Sequence, residues 1–93
     1  MLNEEEFLKR AELDRTTLEV WIREEWLVPV RSTEPRGFTD MDVARAKLIH
    51  DLQRNMGVNE AGLDVILHLI DQMHGLRKAL AEAVATLRER TPH

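Results

Sequence analysis

The sequence predicts an all-α domain in which one short extended segment separates helical regions. Three observations support this fold class. Apolar residues recur at helical spacing on both sides of the segment. The segment itself, about residues 27–38, contains Pro29, Pro35 and Gly37, which disfavour a continuous helix. Thr39, followed three residues later by Asp42, then has the pattern of a new helix start.

The residues before the extended segment predict two short helices. Asn3 with Glu6 three residues later is typical of a capped start, so the first helix should span about residues 3–11. Asp14 is a suitable cap for a second helix over about residues 15–25. The expected buried positions are Phe7, Leu8, Ala11, Leu18, Trp21 and Ile22. Two short, closely joined helices are typical of a helix-turn-helix.

The extended segment and the helix after it complete a head over residues 1–58. Val28 and Val30 flank Pro29, which favours extended backbone and a small two-stranded wing. A third helix is predicted over about residues 40–55, with Gly57 as its stop. Its expected buried stripe is Met41, Ala44, Leu48 and Leu52. Together these elements outline a winged helix-turn-helix.

A helical extension is predicted over residues 59–90, capped by Asn59, with residues 91–93 as a frayed tail. Its apolar residues follow a repeat with alternating steps of three and four: Leu63, Ile66, Ile70, Met73, Leu80, Val84 and Leu87. Arg77 occupies the position of this repeat between Met73 and Leu80. Gly75 permits either one helix or two with a bend. A straight helix would be about 48 Å long, whereas a small domain is about 30 Å across. We therefore expect a homodimer held by Ile70, Met73, Leu80, Val84 and Leu87.

Composition restricts the class of protein. The 93 residues form one small domain, and they include no cysteine, no signal peptide and no membrane-spanning apolar run. A cytoplasmic protein is the expectation. Residues 1–30 carry eight acidic and four basic residues, although a DNA-binding domain usually presents a basic face.

Catalytic and metal motifs are not apparent in the sequence. His68 and His74 each have one acidic neighbour at helical spacing, Asp64 and Asp71, but two-member pairs lack the ligand count of a zinc site. There is no HExxH, glycine-rich phosphate loop or nucleophile motif. We expect no enzyme activity, no metal and no cofactor.

The order of several residues over about 3–72 resembles the MerR-type winged-helix pattern: Leu18, Leu27, Pro29, Arg36, Phe38-Thr39, Asp42-Val43 and Gly57-Val58. Departures from it lie in the second helix, the turn after it and the wing. MerR-type regulators usually place an arginine on each side of a Thr-Leu pair, where this chain has Thr16 and Glu19. The aromatic pair is replaced by Val20-Trp21, the small linker residue by Glu25, and the aromatic before Arg36 by Pro35.

A short, acidic, MerR-like chain without an effector domain is similar to the chaperone-modulator family CbpM. That family binds and inhibits CbpA, a DnaJ-like J-domain co-chaperone, and J-domains present a basic helix. The resemblance implies partner binding through an acidic face, with Glu12, Asp14, Glu19, Arg23 and Glu24 as the expected contacts. An acidic face of this kind would steer association with a basic partner.

The first alternative is a small MerR-like DNA-binding regulator, in which Arg15, Arg31 and Arg36 would contact phosphates. A purely structural dimerisation module is the second alternative. DNA and membrane are not the expected partners. Of the two tryptophans, Trp21 is expected in the core and Trp26 partly exposed, as a possible interface anchor.

Overall fold

The computed structural model describes residues 1–30 and 36–90. Four helices lie in these ranges: α1 (Glu4–Ala11), α2 (Arg15–Arg23), α3 (Asp40–Arg54) and α4 (Glu60–Arg90). Their bounds lie within two residues of the predicted ones. The chain divides into two compact units, Met1–Leu63 and residues 64–93, so the first unit contains α1 to α3 and the first turn of α4.

Side-chain caps define where the first three helices begin. Asn3 and Glu6 form a capping box, in which each side chain accepts a hydrogen bond from the other residue's backbone N–H, at 2.8 and 3.2 Å. Thr39 and Asp42 form a second box at the start of α3. Asp14 accepts from the N–H of Thr17 at 2.6 Å and caps α2. These caps satisfy backbone N–H groups that a helix start leaves unpaired, and the sequence signals for all three are confirmed.

The core of the first unit forms where α1 packs against α3. The rings of Phe7 and Phe38 stack with centroids 4.3 Å apart and an interplanar angle of 13°, and both side chains are fully buried. Leu2 and Phe38 exchange two backbone hydrogen bonds of 2.8 and 2.9 Å in an antiparallel bridge. Leu8, expected in the core, is only half-buried. Phe38 thus joins the extended segment to the start of the chain.

The buried face of α3 differs from the predicted one. The side chains buried in α3 are Val43, Ala46, Ile49 and Leu52. Of the predicted stripe only Leu52 is correct, because Met41 and Ala44 are exposed and Leu48 lies at the exposed limit. The helix carries apolar residues on two faces, and residue spacing alone does not show which face packs inward.

Trp26 was expected to be partly exposed and is instead buried, with 3% of its surface accessible. Glu25 has left-handed backbone (φ 62°), which reverses the chain directly after α2. The N–H of Trp26 then donates to the carbonyl of Trp21 at 2.9 Å, and the two rings lie 6.5 Å apart. Trp21 is buried as predicted. Both tryptophans therefore belong to the core.

The predicted wing falls partly on residues 31–35, which lie outside the described residues, as does Arg31. The described residues at its ends, Val30 and Gly37, pair in an antiparallel bridge with N–H to carbonyl distances of 2.9 and 3.3 Å. Pairing of residues seven apart brings Arg36 back toward the first two helices.

Helix α4 begins after Asn59, whose side chain accepts from the N–H of Gly62 at 2.8 Å. The helix is continuous through Gly75, which resolves the choice between one helix and two. Every residue from 71 to 90 is exposed. Within the described part of the chain, no helix combines the length and the apolar character needed to cross a membrane.

Candidate functional site

A cluster of ion pairs connects α1, α2 and the residue before Gly37. The Nη2 of Arg36 donates to Glu4 Oε1 and to Glu19 Oε1, each at 2.6 Å. The Nε of Arg15 lies 3.1 Å from the other oxygen of Glu4. We call Glu4, Arg15, Glu19 and Arg36 the Arg36 cluster. It is partly shielded from solvent, since the side chains of Glu4 and Arg36 are 25% and 33% exposed.

Within the cluster, the hydrogen bonds favour the ionised forms of Glu19 and Arg36. The hydrogen bond from Arg36 lowers the pKa of Glu19, and the nearby charges of Arg15 and Arg23 lower it further. The bonds to Glu19 and Glu4 raise the pKa of Arg36 above its already high ordinary value. The charges of three arginines thus act on Glu19, and the four cluster residues together with Arg23 carry a formal charge of +1. The outer face of α2 is therefore mixed in charge rather than uniformly acidic.

Four acidic residues lie at the two ends of α2: Glu12, Asp14, Glu24 and Glu25. We call them the acidic rim. All four are exposed, and none forms an ion pair within the described residues. Asp14 is committed to capping α2, and the backbone hydrogen bond from Thr17 lowers its pKa. The charges of these four carboxylates are therefore not neutralised by ion pairs within the described residues.

Two residues of the rim have an unusual backbone conformation. Glu12 ends α1 with φ 57°, and Glu25 follows α2 with φ 62°. Side chains with a Cβ are disfavoured in this left-handed region by about 1–2 kcal/mol, whereas glycine is not. By contrast, the turn after α3 places Gly57 at φ 63°. The chain thus has a carboxylate side chain at two turns where glycine would fit with less strain.

The structure separates the predicted contact residues into two groups. Glu12, Asp14 and Glu24 belong to the acidic rim, while Glu19 and Arg23 lie on the mixed face of α2. Sequence reasoning missed Glu4 as a partner of Arg36, because the two are 32 residues apart and no local pattern connects them. Glu25 was also missed. Its place after the last turn of α2 was visible, and the small residue that MerR-type proteins usually have there was a signal for its left-handed backbone.

The arginines that the DNA-binding alternative requires form contacts within the protein where the structure describes them. Arg15 and Arg36 are held by Glu4 and Glu19, whereas Arg31 lies outside the described residues. Arg45 donates to the carbonyl of Trp26 and is also occupied.

Helix α4 carries an exposed apolar seam that shares Met73, Leu80 and Leu87 with the predicted stripe. Steps of 4, 3, 4, 3 and 4 connect Leu69, Met73, Leu76, Leu80, Ala83 and Leu87. Leu76, Leu80 and Leu87 are 64–72% exposed. Arg77 is not part of this seam, so every position in it is apolar. Among the predicted residues, Val84 is 38% exposed and Ile70 is half-buried.

The described residues contain no group of three or more histidine, cysteine, aspartate or glutamate side chains that could hold a metal ion.

Two short capped helices joined by a three-residue turn, with a third helix packed against the first, define a helix-turn-helix protein. The profile of the MerR helix-turn-helix family of regulatory proteins matches residues 2–88, and the chain belongs to this family. No curated protein and no solved structure gives a significant match to the chain.

Proposed function

We propose that this MerR-family protein is a non-enzymatic modulator that binds a J-domain co-chaperone, as in the CbpM family, through the acidic rim. The observation that carries the proposal is the pair of glutamates with left-handed backbone, Glu12 and Glu25. Residues kept in sparsely populated conformations are concentrated at functional sites. Here the strained positions hold exposed carboxylates, and exposed charge of one sign fits a partner of the opposite sign.

The geometry of the rim fits an elongated basic partner. Glu12 and Asp14 precede α2, while Glu24 and Glu25 follow it, so the carboxylates are separated by roughly the 14 Å length of a nine-residue helix. A helix with lysines and arginines along one side could contact both ends. Charges at such a rim would mainly raise the association rate and favour the correct partner, and salt would weaken them.

The variant Glu12→Gly/Glu25→Gly tests the proposal by separating folding from binding. Glycine relieves about 1–2 kcal/mol of backbone strain per site and costs about 0.5–1 kcal/mol in chain entropy. The variant should therefore be more stable, by about 0.5–1 kcal/mol per site. Binding to a purified DnaJ-like J-domain, measured by calorimetry at low salt, should nevertheless weaken. Asp14 and Glu19 are less suitable for substitution, because Asp14 caps α2 and Glu19 accepts a hydrogen bond from Arg36.

The matched control is Glu82→Gln/Glu89→Gln, which removes the same charge from exposed positions of α4. It should bind the J-domain as tightly as the wild type. Equal binding by the double-glycine variant, or equal weakening by both variants, would contradict a role for the rim. A wild type that does not bind any J-domain would rule out the proposed partner.

We further propose that the protein acts as a homodimer paired through α4. The predicted contacts Ile70, Met73, Leu80, Val84 and Leu87 overlap the exposed seam, to which Leu69 and Leu76 are added. A second copy is the occupant that this seam fits, because a regular alternation of steps of three and four matches another helix of the same repeat. Pairing would also present two acidic rims, so a partner with two J-domains would bind with increased avidity.

A DNA-binding transcriptional regulator is the second candidate, and the match to a family of regulatory proteins favours it. It requires arginines available to phosphate oxygens. A gel shift with random duplex DNA at ordinary salt distinguishes the two candidates. We expect no detectable binding, whereas sub-micromolar, salt-sensitive binding would favour the regulator.

A further inference from the structure

We infer that Glu4 and Glu19 are specificity-determining residues that keep this helix-turn-helix off nucleic acid by occupying its arginines. The inference rests on the Arg36 cluster and is independent of which protein partner binds the acidic rim. A carboxylate contacts a guanidinium through oxygens placed much like those of a phosphate. The two glutamates therefore act as internal substitutes for backbone phosphates.

The contacts support this assignment. Both carboxylates approach the same Nη2 of Arg36 at 2.6 Å, and Glu4 also contacts the Nε of Arg15. Arg23, whose charge acts on Glu19, lies on the same side of α2. Since the cluster remains partly exposed, a duplex could approach it. A phosphate would have to displace a carboxylate that is already bound and would be repelled by it.

The expected effect of removing the two glutamates on DNA binding follows from the change in charge. Replacing both glutamates by glutamine changes the formal charge of the group, with Arg23 included, from +1 to +3. It also makes Arg15 and Arg36 available for phosphate contacts. Each new contact releases about one counterion, so two contacts should steepen the slope of log K against log salt concentration by about two.

The experiment compares Glu4→Gln/Glu19→Gln with the control Glu5→Gln/Glu60→Gln. The control makes the same change in net charge, but Glu5 and Glu60 form no ion pair within the described residues. Binding to a random-sequence fluorescent DNA duplex is measured by anisotropy at several salt concentrations. The cluster variant should bind at least about tenfold more tightly than the wild type at low salt, with the steeper slope, while the control should not.

Addition of Arg36→Gln to the cluster variant should remove most of the gain, which assigns the effect to that arginine. Circular dichroism verifies that each variant folds. If the double variant does not fold, Glu19→Gln alone should still give a smaller gain, because Glu4 continues to hold Arg36. Absence of any gain in a folded variant, or an equal gain in the control, overturns the inference.

Discussion

The stacked pair Phe7 and Phe38 should be energetically coupled, and a double-mutant cycle can measure the coupling. Both rings are fully buried, and their separation of 4.3 Å with nearly parallel planes gives extensive contact. Aromatic pairs contribute about 0.5–1.5 kcal/mol beyond the area that they bury. Leucine is the appropriate replacement because it keeps most of the apolar volume. Alanine would cost about 3–5 kcal/mol, a large part of the stability of so small a domain.

Each single change, Phe7→Leu or Phe38→Leu, should lower the free energy of unfolding by about 1–2.5 kcal/mol, from the lost stacking and a small cavity. For a domain of this size, that corresponds to a fall in Tm of roughly 5–15 °C. The double variant should lose less than the sum of the two, by about 0.5–1.5 kcal/mol, because the stacking energy can be lost only once.

Urea unfolding followed by tryptophan fluorescence is a suitable assay, since Trp21 and Trp26 are both buried and should report loss of the core. The linear dependence on urea gives the free energy for each of the four proteins. Additive losses, within about 0.3 kcal/mol, would show that the rings do not interact as their geometry indicates.

Three other predictions follow from the structure. Gly75→Ala should stabilise α4 by about 1 kcal/mol, because its Cβ would meet no atom within 4 Å; a lower Tm would show instead that close packing requires this glycine. Because the pKa of Glu19 is lowered in the folded state, its stabilising contribution is present above its ordinary pKa of 4.5 and is lost as the pH falls through the lowered value. Urea unfolding should thus show Glu19→Gln to be less stable than the wild type by up to about 1 kcal/mol at pH 7, but by almost nothing at pH 3; a pH-independent difference would contradict the ion pair. Light scattering should report a dimer for the wild type and a monomer for Leu80→Glu/Val84→Glu, and a monomeric wild type would exclude pairing through α4.

Local sequence patterns predicted the helices well, because their signals come from residues close together in the chain. The box formed by Asn3 and Glu6, and the cap Asp14, involve partners only three residues apart. Such pairs depend on helix geometry alone, so they are recognisable without knowledge of the tertiary fold.

Which side chains are buried in the tertiary fold was harder to predict from the same patterns. Met41 and Val43 are both apolar residues of the first turn of α3, and the tertiary fold determines that Val43 is buried while Met41 is exposed. Trp26 was misjudged because its burial depends on the reversal at Glu25, and glutamate does not normally indicate left-handed backbone. Spacing predicts that a helix has an apolar face, but it does not give the direction of that face when two are available.

The candidate site shows the same division between local and distant information. The acidity of the first 30 residues was evident from composition, and most of the acidic rim was named in advance. The pairing of Arg36 with Glu4 was not, because it depends on the return of the chain between Val30 and Gly37. From the sequence, Glu19 was expected to be free to contact a partner, whereas in the fold it lies near the charges of Arg36, Arg15 and Arg23.

The bridge between Leu2 and Phe38 has a consequence for how the protein is made. Phe38 supplies both the ring that covers Phe7 and the backbone that pairs with Leu2. A nascent chain that has not yet released residue 38 from the ribosome lacks both contacts, so α1 has no complete core to join. We therefore expect the head to become protease-resistant only after both the extended segment and α3 have emerged.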